Sequence, residues 1–439
     1  MRLIKLLGAV LVMTSLVCAA DKPNFVIIMA DDLGYGDISA GPFEGWIDTP
    51  NLDRLAKAGV SLTDFHSNGA VCSPTRAALM TGRYQQRAGI GGVVKADPRA
   101  GVHDDGLQPD VEVTFSKKLQ AAGYATGMFG KWHLGYLPRY NPIHHGFDEF
   151  RGYVSGNVDY FSHVDQAGNF DWWIGDKLQQ EEGYSTHLIT QHTLDFIRKN
   201  KDKPFCVYVP HEAPHYPYQG PNDPPQRKVG QKAKHPRGPD DKQAYRLMVQ
   251  EVDRGVGQIM DLVGELGIAG RTMIVFISDN GAIGLGSNRP LRGYKGRVWE
   301  GGHRVPAIVT WPDVVKPGTV NDATTLTMDL MPTMLEAAGL DQPTERALDG
   351  VSLMPVLRGG ELGPRQLFWM YGKKTAMRDG PWKLVMNDLG AKEPALFDLS
   401  KDLSEKNDLS KDHPQRMKQM LEAIERWQQD MKDTQTPQP

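Results

Sequence analysis

Phe25-Val26-Ile27-Ile28-Met29-Ala30-Asp31-Asp32 is an unbroken apolar run stopped by two carboxylates. A strand that is apolar at every position has no solvent face, and such strands belong to parallel sheets covered on both sides. The same pattern recurs outward from this stretch. Ala125 to Phe129, Phe205 to Val209, Met273 to Ile277 and Ala307 to Trp311 are further short apolar runs. Between them lie segments of helical periodicity: Asn51 to Ala58 closed by Gly59, Phe115 to Ala122 closed by Gly123, Ser185 to Lys199, Lys242 to Leu266 and Met328 to Ala338. Strand and helix in alternation predict an α/β protein built on a large, mostly parallel mixed sheet flanked by helices.

Beyond about Gly359 the grammar changes. Leu367 to Tyr371, Thr375 to Met377, Trp382 to Met386 and Leu396 to Leu399 are short runs separated by turns, and Pro414 to Met431 is helical. This predicts a small C-terminal subdomain with an antiparallel sheet and a helix. The expected organisation is a signal peptide over 1–20, a main domain over 21–362 and the subdomain over 363–439. Pro221 to Asp241, rich in Pro, Lys, Arg and Gln, is expected to be a long exposed loop.

Composition removes several classes of function. At 439 residues with 40% hydrophobic side chains, the chain can bury a large core, so intrinsic disorder is excluded. Lys+Arg 50 against Asp+Glu 53 leaves no basic excess, which argues against nucleic acid as a partner. Arg2 and Lys5, the apolar Leu6 to Val17 and the small Ala19 and Ala20 have the form of an export signal, too short to span a bilayer. Val17 stands before Cys18 where lipidation would want a small residue. The expected product is a secreted or periplasmic protein with no membrane span. Only Cys72 and Cys206 then remain. Cys206 lies inside a strand run and reads as a small core residue, while Cys72 sits in a polar turn.

Ligands of open α/β sheets bind beyond the carboxyl ends of the strands. Asp31 and Asp32 follow the first run, Lys131 and His133 the second, His211, Glu212 and His215 the third, and Asp279 and Asn280 the fourth. If those strands are parallel, all converge on one rim. Asp31, Asp32, Asp279 and Asn280 offer only oxygen, which suits a hard divalent cation such as Ca²⁺ or Mg²⁺. Each pair alone could be an ordinary turn or helix cap. Lys295, between Gly293 and Gly296, is either a surface lysine or part of an active-site loop. In Cys72-Ser73-Pro74-Thr75-Arg76-Ala77-Ala78-Leu79-Met80, the proline and the apolar residues after it predict a helix whose N-terminus holds Cys72, with Arg76 one turn in. Such a cysteine is an anion-site residue, a thiol of lowered pKa or a structural one.

Cys72, Pro74, Arg76, Thr81 and Gly82 match the motif of the type I, formylglycine-dependent sulfatases of the alkaline phosphatase-like superfamily. Asp31-Asp32-Leu33-Gly34, Gly130-Lys131-Trp132-His133, Pro214-His215-Tyr216-Pro217, Ser278-Asp279-Asn280-Gly281 and Lys295 through Glu300–Pro306 resemble further blocks of that family, nearest its arylsulfatase A and N-acetylgalactosamine-6-sulfatase branch. The resemblance implies that a formylglycine-generating enzyme converts Cys72, whose hydrate attacks sulfur. It also implies one Ca²⁺ held by Asp31, Asp32, Asp279 and Asn280 and touching residue 72. Arg76, Lys131 and Lys295 would neutralise the sulfate. His215, with Lys295, would protonate the leaving oxygen, and His133 would take the proton that frees sulfate. Asp159 and His163 occupy a loop where relatives contact substrate, Trp172 and Trp173 could stack on a sugar or form a lid, and His211 supports the site or packs in the core. The implied substrate is a sulfated glycan or an aryl sulfate. A phosphoester or phosphonate hydrolase and a non-enzymatic sulfated-glycan binder stay open beside it.

Overall fold

The computed structural model describes residues 22–95, 105–234 and 238–438; the expected signal over 1–20 lies outside them. Ten strands form one sheet in the order Thr319–Asn321, Val60–Leu62, Ala307–Thr310, Thr272–Ser278, Asn24–Ala30, Phe205–Pro210, Ala125–Lys131, Glu149–Tyr153, Trp173–Ile174, Lys177–Leu178. The central five, from Thr272–Ser278 to Glu149–Tyr153, run parallel. Ala307–Thr310 runs antiparallel to both neighbours, so the sheet is mixed at that edge.

The period of two along Asn24–Ala30 builds the layers. Phe25, Ile27 and Met29 pack on one face with Ala77, Leu79 and Met80 of the helix Cys72–Thr81 and with Leu330, Met331 and Met334. Val26, Ile28 and Ala30 pack on the other with the helices Pro50–Ala58, Ser185–Asn200 and Asp241–Glu265. Tyr245, Met248, Val252, Val256, Ile259 and Val263 form the buried stripe of the last helix, at the spacing a 3.6-residue period dictates.

Three local readings change. Lys131 is the last residue of its strand rather than part of the loop after it. The segment Met328 to Ala338 divides into a 3₁₀ turn, Thr327–Asp329, and a helix, Leu330–Ala337. Pro332 sits in that helix's first turn, where a missing N–H costs nothing. Trp172 is fully buried, donates to Glu181 at 2.9 Å and stacks on His163 at 4.2 Å, so it has no face for a sugar. Among the described residues no helix is long and apolar enough to cross a membrane.

Gln366–Tyr371, Lys374–Asp379, Trp382–Met386 and Ala395–Asp398 form an antiparallel four-stranded sheet, covered by the helix Pro414–Asp433 through Met420, Ile424 and Trp427. Its core is shared with Ala78 and Tyr84, so it braces the helix that begins at Cys72. A buried ion cluster lies in the same junction. Lys383 donates to Glu300 at 2.8 Å and pairs with Glu405 at 3.0 Å, while the Glu405 carboxylate also accepts from the Glu300 N–H at 2.9 Å.

Burial, with Glu300 beside it, pushes Glu405 up to about 7. The folded protein therefore binds a proton there that the unfolded chain, with an ordinary value of 4.5, has lost. Its contribution to stability is present below about pH 4.5 and disappears as pH rises to about 7. In denaturant titrations, Glu405→Gln is expected to remove this part of the pH slope. The difference between wild type and variant should be up to about 1 kcal/mol per pH unit across that window.

Candidate active site

The parallel register sets the site. Ala30 pairs with Ser278 and Met29 with Pro210, so Asp31, Asp279 and His211 leave the sheet side by side. The Asp279 N–H donates to the Ala30 carbonyl and the Asp31 N–H to that of Ala213, both at 3.1 Å. Asp32 takes a left-handed conformation, φ 64°, and its N–H donates to Asp279 Oδ1 at 3.2 Å. That turn is a strained one for a non-glycine residue, and it swings the second carboxylate toward the rim beside the first.

Arg76 ties the cluster together from below. It is fully buried, and its Nη2 donates to Asp31 Oδ2 at 2.8 Å and Asp279 Oδ2 at 2.9 Å, while Nη1 donates to the Lys131 carbonyl at 2.9 Å. Lys131 Nζ pairs with Asp31 Oδ2 at 2.5 Å, and Lys295 Nζ with Asp32 Oδ1 at 2.6 Å. Three carboxylates thus face three cations. Burial raises the Asp31 carboxyl, but Lys131, His215 and Arg76 together bring it below the usual carboxylate range. Burial and the Asp31 charge push Asp279 up to about 7.

Cys72 is the first residue of its helix. Its Sγ lies 3.8 Å from Asp31 Oδ1 and accepts from Lys295 Nζ at 3.4 Å. A helix N-terminus alone would favour the thiolate, yet burial and the Asp31 charge prevail and push the thiol up to about 12. This setting works against the lowered-pKa reading of the cysteine. Cys72 and Cys206 are both buried and form no disulfide among the described residues.

The histidines differ in their settings. His133 Nε2 donates to the Val94 carbonyl at 3.1 Å, and the Val94 N–H donates to Ser73 Oγ at 3.1 Å, which fastens His133 beside the start of the Cys72 helix. Its Nδ1 is buried without a hydrogen-bond partner among the described residues. Burial, with Lys131 and Arg76 nearby, holds the ring neutral. His215 Nδ1 donates to the Tyr216 carbonyl at 2.6 Å and its Nε2 faces Asp32 Oδ2 at 3.7 Å. Burial and Lys295 lower it to about 4. His211 is wholly buried, lowered to about 3 mainly by burial, and among the described residues has no hydrogen-bond partner on either nitrogen. It packs in the core.

Asp159 and His163 take structural places. Asp159 Oδ1 accepts from the N–H groups of Phe161 and Ser162, and Oδ2 from those of Gln226 and Arg227. Four backbone donors use this carboxylate to tie its own loop to the segment at Gln226 and Arg227. His163 is buried against Trp172. The residues that periodicity missed are the fasteners, Ser73 and Val94 for His133 and Tyr245 for the Asp32 turn, whose hydroxyl oxygen lies 3.2 Å from the Asp32 carbonyl. No local signal marks them, because each acts through a partner distant in sequence.

The donor set suits a hard cation. Ligand atoms of Asp31, Asp32, Cys72 and His215 lie within 4.8 Å of one another. Asn280 Oδ1 is buried without a partner, while its Nδ2 donates to Asp32 Oδ1 at 2.7 Å. An amide oxygen free to accept beside carboxylates is the kind of donor that a hard divalent cation takes. His66, Glu300 and His303 also come together, but two of these three donors are nitrogens, which does not match a hard cation.

Known proteins resemble this chain along most of its length. A family model described as Sulfatase matches residues 23–340, and one described as N-sulphoglucosamine sulphohydrolase, C-terminal, matches residues 294–433. N-acetylgalactosamine-6-sulfatase of Sus scrofa is 34% identical over 375 residues, 81% of this chain and 69% of that protein. Arylsulfatase A of Bos taurus is 32% identical in an alignment that covers 89% of this chain and 84% of that protein. The crystal structure of Ps i-CgsB in complex with k-i-k-neocarrahexaose superposes with a TM-score of 0.80 at 31% identity, over 92% of each chain. Because the Sulfatase model spans well over half of the chain and relatives above 30% identity cover most of it, the chain belongs to the sulfatase family of sulfuric ester hydrolases.

Proposed function

We propose that the chain hydrolyses sulfate esters of sulfated carbohydrates at a nucleophile made from Cys72, with one Ca²⁺ beside it. The observation that carries this reading is the meeting of Asp31, Asp32, Asp279 and Asn280 with Cys72, Arg76, Lys131 and Lys295 on one rim. The four oxygen-bearing side chains would hold the cation, which when bound supplies positive charge against the sulfate oxygens and residue 72. Conversion of Cys72 by a formylglycine-generating enzyme would supply a hydrated aldehyde in place of a thiol that stays protonated.

The chain's own residues do the rest. Lys131 and Lys295 neutralise the ester's charge, and Arg76 keeps Asp31 and Asp279 in place while adding a third cation below them. Three carboxylates balanced by three cations become a net positive site once a divalent cation is added, and this suits a sulfate monoester. The leaving oxygen receives its proton from the His215 and Lys295 pair, of which Lys295 is the charged member. His133 Nδ1, neutral and unpartnered, accepts the proton whose removal frees sulfate. Asp159 and His163 shape the neighbouring loop. The carbohydrate assignment draws on the relatives named above, one an N-acetylgalactosamine-6-sulfatase and one solved with a neocarrahexaose. We infer as well that residues 1–20 direct export and that 363–439 form a subdomain.

The test is turnover of matched sulfate, phosphate and phosphonate esters by protein produced together with the converting enzyme. A preference for sulfate of about 100-fold or more is expected from a site built for one negative charge. Faster phosphate or phosphonate cleavage would replace this reading with the phosphoester one.

A further inference from the structure

A cavity of about 750 Å³ opens beside the catalytic rim, between the turn carrying Phe43, Glu44, Gly45 and Trp46 and the loop from Ala282 to Tyr294. None of the residues assigned to catalysis lines it. Its far wall is nevertheless continuous with them: Ala282 follows Asn280 by two positions, Tyr294 precedes Lys295, and the Lys295 N–H donates to the Ala282 carbonyl at 3.2 Å.

The walls are fixed by one buried carboxylate. Asp37 Oδ1 accepts from Trp46 Nε1 and from the Ser287 N–H, each at 2.7 Å, and Oδ2 accepts from the Tyr245 hydroxyl at 2.6 Å. The Gly36 N–H donates to the Ser287 carbonyl at 2.8 Å. At Gly286 a side chain is excluded, since a Cβ would stand 2.3 Å from the Tyr245 hydroxyl and 2.7 Å from Asp37 Oδ2. The site is therefore preorganised rather than a gap between mobile loops.

What it presents is unusual for a surface that touches only water. Nine large apolar side chains are exposed among the described residues, and two of them, Trp46 and Tyr294, line this cavity, 38% and 40% exposed. Lys242 and Arg289, both exposed, also line the cavity. Neither has an ion pair among the described residues; Lys242 Nζ rests 5.0 Å over the Trp46 ring. Glu44 is the single acid of the lining. Exposed aromatic rings beside unpaired cations suit a ligand with apolar C–H faces and anionic substituents.

We propose that this cavity is a second binding site for the substrate chain, holding a sugar next to the one whose ester is cut, with Trp46 and Tyr294 against the ring and Lys242 and Arg289 on that sugar's own sulfate. The inference rests on the carbohydrate reading above and adds to it that the substrate is an oligosaccharide bearing more than one sulfate.

The test compares kcat/KM on hexasaccharides of chondroitin sulfate, carrageenan and sulfated fucan with kcat/KM on 4-nitrocatechol sulfate, for wild type, Trp46→Ala and the Lys242→Ala/Arg289→Ala pair. For the hexasaccharide that wild type cuts fastest, the ratio to the aryl ester is expected to fall about tenfold in each variant. In the double variant the dependence of that ratio on salt should also flatten. Lys242 and Arg289 are exposed and unpaired, so that variant keeps the test valid if Trp46→Ala folds poorly. A ratio that stays put in the double variant, or equal losses on both esters, would overturn this second site and leave the sulfatase reading intact. A wild type that cuts the aryl sulfate but none of the hexasaccharides would overturn the carbohydrate reading and this site with it.

Discussion

Protein in which Cys72 remains a thiol is expected to release sulfate at least about 10⁴-fold more slowly than protein in which it has been converted. The reason lies in the setting of the sulfur. Burial and the Asp31 charge keep the thiol near 12, so almost no thiolate exists at neutral pH, and Lys295 at 3.4 Å does not reverse this. The same helix start that would activate an ordinary cysteine faces a rim of carboxylates. Activity should therefore scale with the converted fraction, read as the mass of the proteolytic peptide holding residue 72. Cys72→Ala should be inactive yet unfold within about 1 kcal/mol of the unconverted protein, since it removes one small buried atom. Full turnover by unconverted protein would remove the proposed mechanism. Glycan binding by Cys72→Ala, together with no sulfate release by converted wild type, would favour a binding protein.

Arg76→Met is expected to cost about 3–5 kcal/mol of stability, the range for breaking a buried ion pair from one side. The guanidinium is 1% exposed and holds Asp31 and Asp279 with one nitrogen while its other satisfies the Lys131 carbonyl. Methionine fills much of the volume but leaves two buried carboxylates facing each other without their fork. Catalysis should fall further, by about 10³-fold, because the same change moves the carboxylates and removes a cation from the site. Arg76→Lys should recover only part of either loss, since one ammonium cannot reproduce the planar two-nitrogen contact. Denaturant titrations with and without added Ca²⁺ separate the two effects. The cation should restore part of the stability of Arg76→Met and little of its activity. A variant as stable and active as wild type would show that Arg76 neither ties the cluster nor serves the reaction.

Much of this was legible along the chain. Phe25 to Ala30 announces a two-sided buried strand because a parallel strand between two helical layers has no wet face, and its period of two sends alternate residues into the two cores. Asp31, Asp32, Asp279 and Asn280 were readable as a set because they follow strands, and the carboxyl ends of parallel strands share a rim. Cys72 at a helix start followed from Pro74 and the apolar residues after it.

Other features depend on contacts that no local period encodes. Trp172 resembles a sugar-stacking residue until His163 and Glu181 enclose it, and Asp159 a substrate contact until four backbone N–H groups from two segments claim its oxygens. The Cys72 thiol is set against its own helix by Asp31, 41 positions away. The cavity walls meet through Asp37 and Ser287, 250 positions apart. Sequence by itself determined the elements and which ends of them carry chemistry, since both follow from neighbours within a few residues. The tertiary structure decided protonation, access and the second cavity, because burial and charge depend on which distant segments are brought together.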